Sequence, residues 1–153
     1  MFDYADVFRR LSFDTAIITF LKKDGTVRIM LATRNLDTVA IENGYQGNRL
    51  GAHDNRCNIK NGNLAVFDLI LGDTRAFNIS RVLDIIYCGK IDYKEQLDVV
   101  IKSYKEYNDA YMAKYQMSLN METFDSMNED NKPKVEIDLP KVDVNTNFNG
   151  GLV

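Results

Sequence analysis

The chain has 153 residues, 45% of them hydrophobic and 27% charged, which fits one ordinary globular domain with a tail. Nineteen Lys and Arg against 22 Asp and Glu give a net charge of −3, which disfavours coating nucleic acid by bulk charge but leaves room for a local basic surface. Two cysteines, Cys57 and Cys88, make no disulfide framework, and neither a signal peptide nor an apolar run of roughly 18 residues is visible, so the expectation is a protein of the reducing cytoplasm with no membrane segment.

Residues 2–11 place acids early and arginines late, which suits the dipole of a short helix ending near Ser12. A β-branched and aromatic run follows, Thr15 to Leu21, then Lys22-Lys23-Asp24-Gly25-Thr26, then Val27 to Arg34. This reads as a hairpin on an Asp24-Gly25 turn. Val27, Ile29 and Leu31 alternate with Arg28, Met30 and Ala32, which predicts one core face and one half-solvated face for the second strand.

Residues 44–63 hold four glycines and five asparagines in twenty positions and show no apolar period. So long a loop inside a small domain points to function or disorder. Arg49, Arg56 and Lys60 against Asp54 alone give it a local charge of +2, and with Tyr45 they are its candidate partner or anion contacts.

A second hairpin is expected from Leu64–Leu71, a Gly72-Asp73 turn and Thr74–Ile79. A bend over residues 80–84 leads into a fifth strand, Ile85–Cys88, stopped by Gly89. Five short strands with tight turns in about 75 residues predict a small, strongly bent barrel over about 14–90. From Asp92 to Met117 the period becomes helical: Leu97, Ile101, Tyr104, Tyr107, Tyr111 and Tyr115 form one stripe. Such a stripe reads first as the face packed on the barrel, and second as a stacking surface for bases or a partner. Residues 118–153 read as an acidic, partly irregular tail, with seven acids and three lysines over 121–153. The expected organisation is therefore a barrel unit with flanking helices over 1–117 and a tail over 118–153, in the α+β class.

Two segments carry a resemblance: Lys22-Lys23-Asp24-Gly25-Thr26-x-Arg28-x-Met30, and Leu64-Ala65-Val66-x-Asp68 followed by Arg75-x-Phe77-x-Ile79. Together they resemble a family of small bacteriophage proteins with an SH3-like β-barrel fold, over about residues 14–90. That resemblance implies the barrel and a phage origin, with no established activity. Arg75-x-Phe77-x-Ile79-x-Arg81-Val82 is also similar to a signature of WYL domains, related barrels that bind nucleotide-like ligands or nucleic acid. This second likeness implies that Arg75 and Arg81 contact an anion. The chain lacks the Trp-Tyr-Leu signature of those domains and any helix-turn-helix segment ahead of the barrel.

A single histidine, His53, and the absence of tryptophan remove most common catalytic constellations. His53, Asp54, Cys57 and Cys88 are too few and too unevenly spaced for a structural zinc. No Cys–His pair or carboxylate pair has a spacing that fixes a cleft. The residues therefore argue for a non-catalytic protein without a cofactor. Its expected role is a phage-type accessory protein that binds and modulates a host macromolecule, a host protein first and nucleic acid second. A nucleotide-like effector is the third reading. Residues 1–90 carry +2 and 121–153 carry −4, so positive charge gathers on the barrel. The barrel edge and the tyrosine stripe both offer surface for a homo-oligomer.

Overall fold

Asp3 starts the first element. Its carboxylate accepts the Asp6 amide at 2.9 Å, and α1 (Tyr4–Leu11) follows, with Arg9 and Arg10 in the last turn where the dipole favours cations. Val7 and Leu11, four residues apart, are its buried pair. The computed structural model describes residues 1–43 and 56–128; Tyr45, Arg49, His53 and Asp54 lie outside them, as does the chain beyond 128.

The expected first hairpin is present. β1 (Thr15–Leu21) pairs antiparallel with β2 (Val27–Thr33), Ile17 opposite Leu31 and Thr19 opposite Ile29. Asp24 accepts the Thr26 amide at 2.9 Å and its hydroxyl at 2.6 Å, and Gly25 takes φ +86°, a backbone that a side chain would strain. Beyond β2 lies α2 (Leu36–Asn43), where the sequence pattern predicts no element. Its cue is the buried Asn35, whose side-chain oxygen accepts the Asp37 amide at 2.9 Å and the Thr38 amide at 3.4 Å.

The second hairpin consists of β3 (Asn63–Asp68) and β4 (Asp73–Asn78). β3 stops at Asp68, three residues short of the expected Leu71. The Asp68 carboxylate accepts the Ile70 and Leu71 amides at 2.9 and 3.0 Å, which folds the chain into a turn closed by Gly72 donating to the Asp68 carbonyl at 2.8 Å. The expected bend is a 3₁₀ turn (Ile79–Arg81), and β5 (Val82–Gly89) starts three residues earlier than predicted, immediately after it.

The strands lie in the order β4-β3-β2-β1-β5. β5 returns to pair with β1, Ile17 opposite Ile86. The β2–β3 ladder is confined to Ala32 opposite Asp68 and Thr33 opposite Phe67. Leu64, Val66 and Phe77 of the second hairpin nevertheless pack with Ala16, Ile18, Phe20 and Met30 of the first, so the sheet bends sharply and folds over this inner core, to which α1 adds Val7 and Leu11.

Both faces of β2 are buried, which corrects the half-solvated face expected of this strand. Val27, Ile29 and Leu31 join Ile17, Phe67, Ile86 and Cys88 in a second core under α3 (Lys94–Asn128), while Met30 and Ala32 fill the inner one. Only Arg28 within β2 is partly exposed. The tyrosine stripe covers this outer face as expected: Leu97, Tyr107 and Tyr111 are buried, and Tyr104 donates its hydroxyl to the Ile29 carbonyl at 3.0 Å. α3 has 35 residues and runs through the composition change at Ser118, so residues 118–128 are helical rather than irregular. The fold is of the α+β class, a five-stranded antiparallel sheet with flanking helices and a long C-terminal helix.

Candidate functional site

Where the two hairpins diverge, a cleft of about 660 Å³ opens between the β1–β2 turn and the β4 strand with its 3₁₀ turn. Five cations line it: Lys22 and Lys23 on the turn, Arg28 on β2, Arg75 on β4 and Arg81 at the end of the 3₁₀ turn. Among the described residues no acid lines it. Like charges gathered on one concave wall reinforce one another's field, so the cleft attracts anions although the whole chain is acidic.

The two arginines are held by the fold. Arg75 donates from Nε to Asp68 Oδ2 at 3.0 Å, and Asp68 is buried behind it. Burial raises the Asp68 carboxyl above its ordinary value, while hydrogen bonds from the Leu71 and Ile70 amides and the nearby Arg28 charge pull it down. Arg81 donates from Nη1 to the Lys22 carbonyl at 2.9 Å, which ties the 3₁₀ turn to the β1–β2 turn. Asn78 sets that turn: its oxygen accepts the Ser80 amide at 2.9 Å, and its amide group donates to the Asn61 carbonyl and the Asn63 side chain at 2.7 and 3.0 Å. Phe20 and Phe77, with ring centroids 5.7 Å apart, are nearly buried beneath the cleft. They brace it from the core side.

Of the residues proposed from sequence, Arg75 and Arg81 come together here. Arg75 pairs with Asp68, and Arg81 with a backbone carbonyl, rather than with Asp73 or Asp84, the acids nearest to them in sequence. Lys60 sits on an exposed turn, its amide bonded to the Asn58 side chain, and does not line the cleft. Arg56 is half-buried, with Nε and Nη2 enclosed and making no hydrogen bond among the described residues. Arg49 and Tyr45 fall outside the described residues. Lys22, Lys23, Arg28 and Asp68 are site residues that the sequence reading passed over. In the sequence the two lysines read as turn residues beside Asp24-Gly25, and Arg28 and Asp68 as single charges within largely apolar strands.

The remaining candidates separate. Cys57 accepts from Arg34 Nη1 and from the Ala65 amide, both at 3.3 Å, whereas Cys88 is buried under α3 and its thiol is pushed up to about 12 by that burial. Among the described residues no group of three or more His, Cys, Asp or Glu could hold a metal, and no helix is long and apolar enough to cross a membrane. The tyrosines of α3 are used in packing, and burial raises the hydroxyls of Tyr104, Tyr107 and Tyr111, the last to about 12. No family model, curated protein or solved structure matches the chain.

Proposed function

We propose that the protein is a non-catalytic accessory module, of the phage type its hairpins resemble, that engages a nucleic-acid strand through the basic cleft. One observation supports this most: five cations from three separate parts of the chain share one cleft that no acid lines among the described residues. Phosphate is the ligand group whose charge density suits such a wall, and arginine forks match its geometry. Phe20 and Phe77 are too buried to stack on bases, so recognition runs through the backbone and discriminates weakly among sequences.

The test is fluorescence anisotropy of a labelled single-stranded oligonucleotide across a salt series. Contact with about four phosphates lowers affinity about fiftyfold for a fourfold rise in salt, through counterion release. Binding that is absent, or unmoved by salt, overturns the reading. Affinity capture from a bacterial lysate supplies the contrary outcome: one protein held stoichiometrically after nuclease and moderate salt replaces the nucleic-acid partner with a host protein. A melting temperature that rises with a mononucleotide, but not with an oligonucleotide, moves the assignment to a small effector.

A further inference from the structure

Resting on that reading, we infer that Asp68 is a positioning residue for Arg75, so that the cleft seats a phosphate by arginine geometry and not by charge alone. An acid behind an anion site is at first sight unfavourable, because its charge repels the ligand. The arrangement of its two oxygens gives the reason for it. One accepts the Ile70 and Leu71 amides at 2.9 and 3.0 Å, which locks the carboxylate to the end of β3. The other accepts Arg75 Nε at 3.0 Å. A guanidinium held through Nε cannot swing about its stem, and its two terminal nitrogens, which make no hydrogen bond among the described residues, remain as a planar fork. Arg81 is tethered differently, through Nη1 to the Lys22 carbonyl at 2.9 Å, which leaves Nε and Nη2 as its outward donors. Among the described residues Lys22 and Lys23 enter no ion pair and supply charge without fixed geometry. The cleft thus combines two tethered guanidiniums, Arg75 and Arg81, with the untethered charges of Lys22 and Lys23, beside Arg28 on β2.

Charge and positioning predict opposite signs for one substitution, and the full-length protein with the same labelled oligonucleotide reads the difference. If Asp68 acts only as a negative charge, Asp68→Asn tightens binding. If it positions Arg75, Asp68→Asn weakens binding, by about tenfold for the loss of a charge-assisted hydrogen bond that fixes the fork. Asp73→Asn, an exposed acid on β4 with Arg75, is the control for charge alone and leaves binding equal or slightly tighter. In an Arg75→Ala background Asp68→Asn no longer weakens binding, whereas a general distortion of β3 weakens it in both backgrounds. The Arg75 Nε–H resonance is expected to be protected from exchange in the wild type and to lose that protection in Asp68→Asn.

Equal or tighter binding by Asp68→Asn overturns the inference and leaves the nucleic-acid reading standing. Failure of the wild type to bind the oligonucleotide overturns both. Should Asp68→Asn not fold, Arg75→Lys decides: it keeps the charge and Asp68, so wild-type affinity overturns the inference and a loss close to that of Arg75→Ala supports it.

Discussion

The tyrosine face of α3 and the basic cleft are the two surfaces that the residue types single out for contact with a partner, and the fold treats them in opposite ways. The tyrosines are consumed: Tyr107 and Tyr111 are 1% exposed, inside the core that also holds Ile17, Leu31 and Ile86. The cations are left facing solvent across a concave wall. The difference follows from how each set lies along the chain. A stripe at helical spacing is a local pattern that any neighbouring apolar face can bury, while Lys22 and Arg81 are 59 residues apart and meet only because β5 returns to β1 through the 3₁₀ turn. Periodic aromatics report on packing, and converging charges report on binding.

The sharpest way to break this comparison is to truncate one member of each surface and read stability and binding separately. Tyr111→Ala empties the core between sheet and helix and is expected to lower stability by about 3–5 kcal/mol in urea or thermal unfolding, the range for a buried aromatic. Oligonucleotide affinity of the fraction that remains folded should not change. A loss under about 1 kcal/mol would mean that α3 is not docked as described. The converse variant combines Lys22→Ala, Lys23→Ala and Arg81→Ala and leaves the Asp68–Arg75 pair intact. It should change stability by less than about 1 kcal/mol and reduce the salt slope of oligonucleotide binding by about two. An unchanged slope would place the anion elsewhere on the molecule.

Much of the fold was legible because its cues are local. The β-branched and aromatic run of Thr15–Leu21, the alternation in Val27–Thr33, the Asp24-Gly25 turn and the stripe from Leu97 to Tyr115 each declare an element within one window. What escaped depends on single side chains or on distant pairing. α2 rests on one capping residue, Asn35, with no apolar period behind it. The end of β3 is set by the Asp68 carboxylate competing with the ladder for the Ile70 and Leu71 amides, which a run of apolar residues through Leu71 conceals. Of the five cleft cations, Arg75 and Arg81 were legible. Lys22 and Lys23 were not, because turn lysines next to an Asp-Gly pair look like ordinary solvated turn residues until the 3₁₀ turn is placed against them, and Arg28 reads as one charge within an apolar strand.

Alkaline titration sharpens the contrast in a second way, because it reads the packed tyrosines directly. Tyr111 is raised to about 12 by burial, with the neighbouring Tyr107, Tyr115 and Asp84 adding to it, and Tyr104 and Tyr107 are raised in the same direction, mainly by burial. A folded-state value above the unfolded value means that the native state binds more protons. This contribution is therefore complete below the tyrosine reference of 10.0 and is lost as pH climbs towards about 12. Cys88, raised from 9.0 to about 12 in the same core, acts with the same sign and from a lower starting pH. Unfolding by circular dichroism and the appearance of tyrosinate absorbance should therefore coincide over this range. Tyrosinate that forms fully while the circular dichroism stays native would show that these hydroxyls are not enclosed by the sheet.

The smallest expected effect isolates one atom of the packed surface. Tyr104 lies at the margin of the outer core and donates its hydroxyl to the Ile29 carbonyl at 3.0 Å, from helix to strand across 75 residues of sequence. Tyr104→Phe keeps the ring and its packing and removes only this donor, leaving the Ile29 carbonyl to its place in the β1–β2 ladder. A loss of about 1 kcal/mol is expected, the net contribution of one neutral hydrogen bond, and it should be visible as a shift of the urea midpoint at constant slope. The bond also fixes where α3 sits along β2, the strand that carries Arg28 into the cleft from its partly exposed side. Oligonucleotide affinity of Tyr104→Phe should match the wild type within about twofold, since Arg28 is placed by the β1–β2 ladder, Phe20 opposite Arg28, and not by the helix. A larger change in affinity than in stability would show that the packed face and the binding face are coupled through β2, and the separation drawn between them would fail there first.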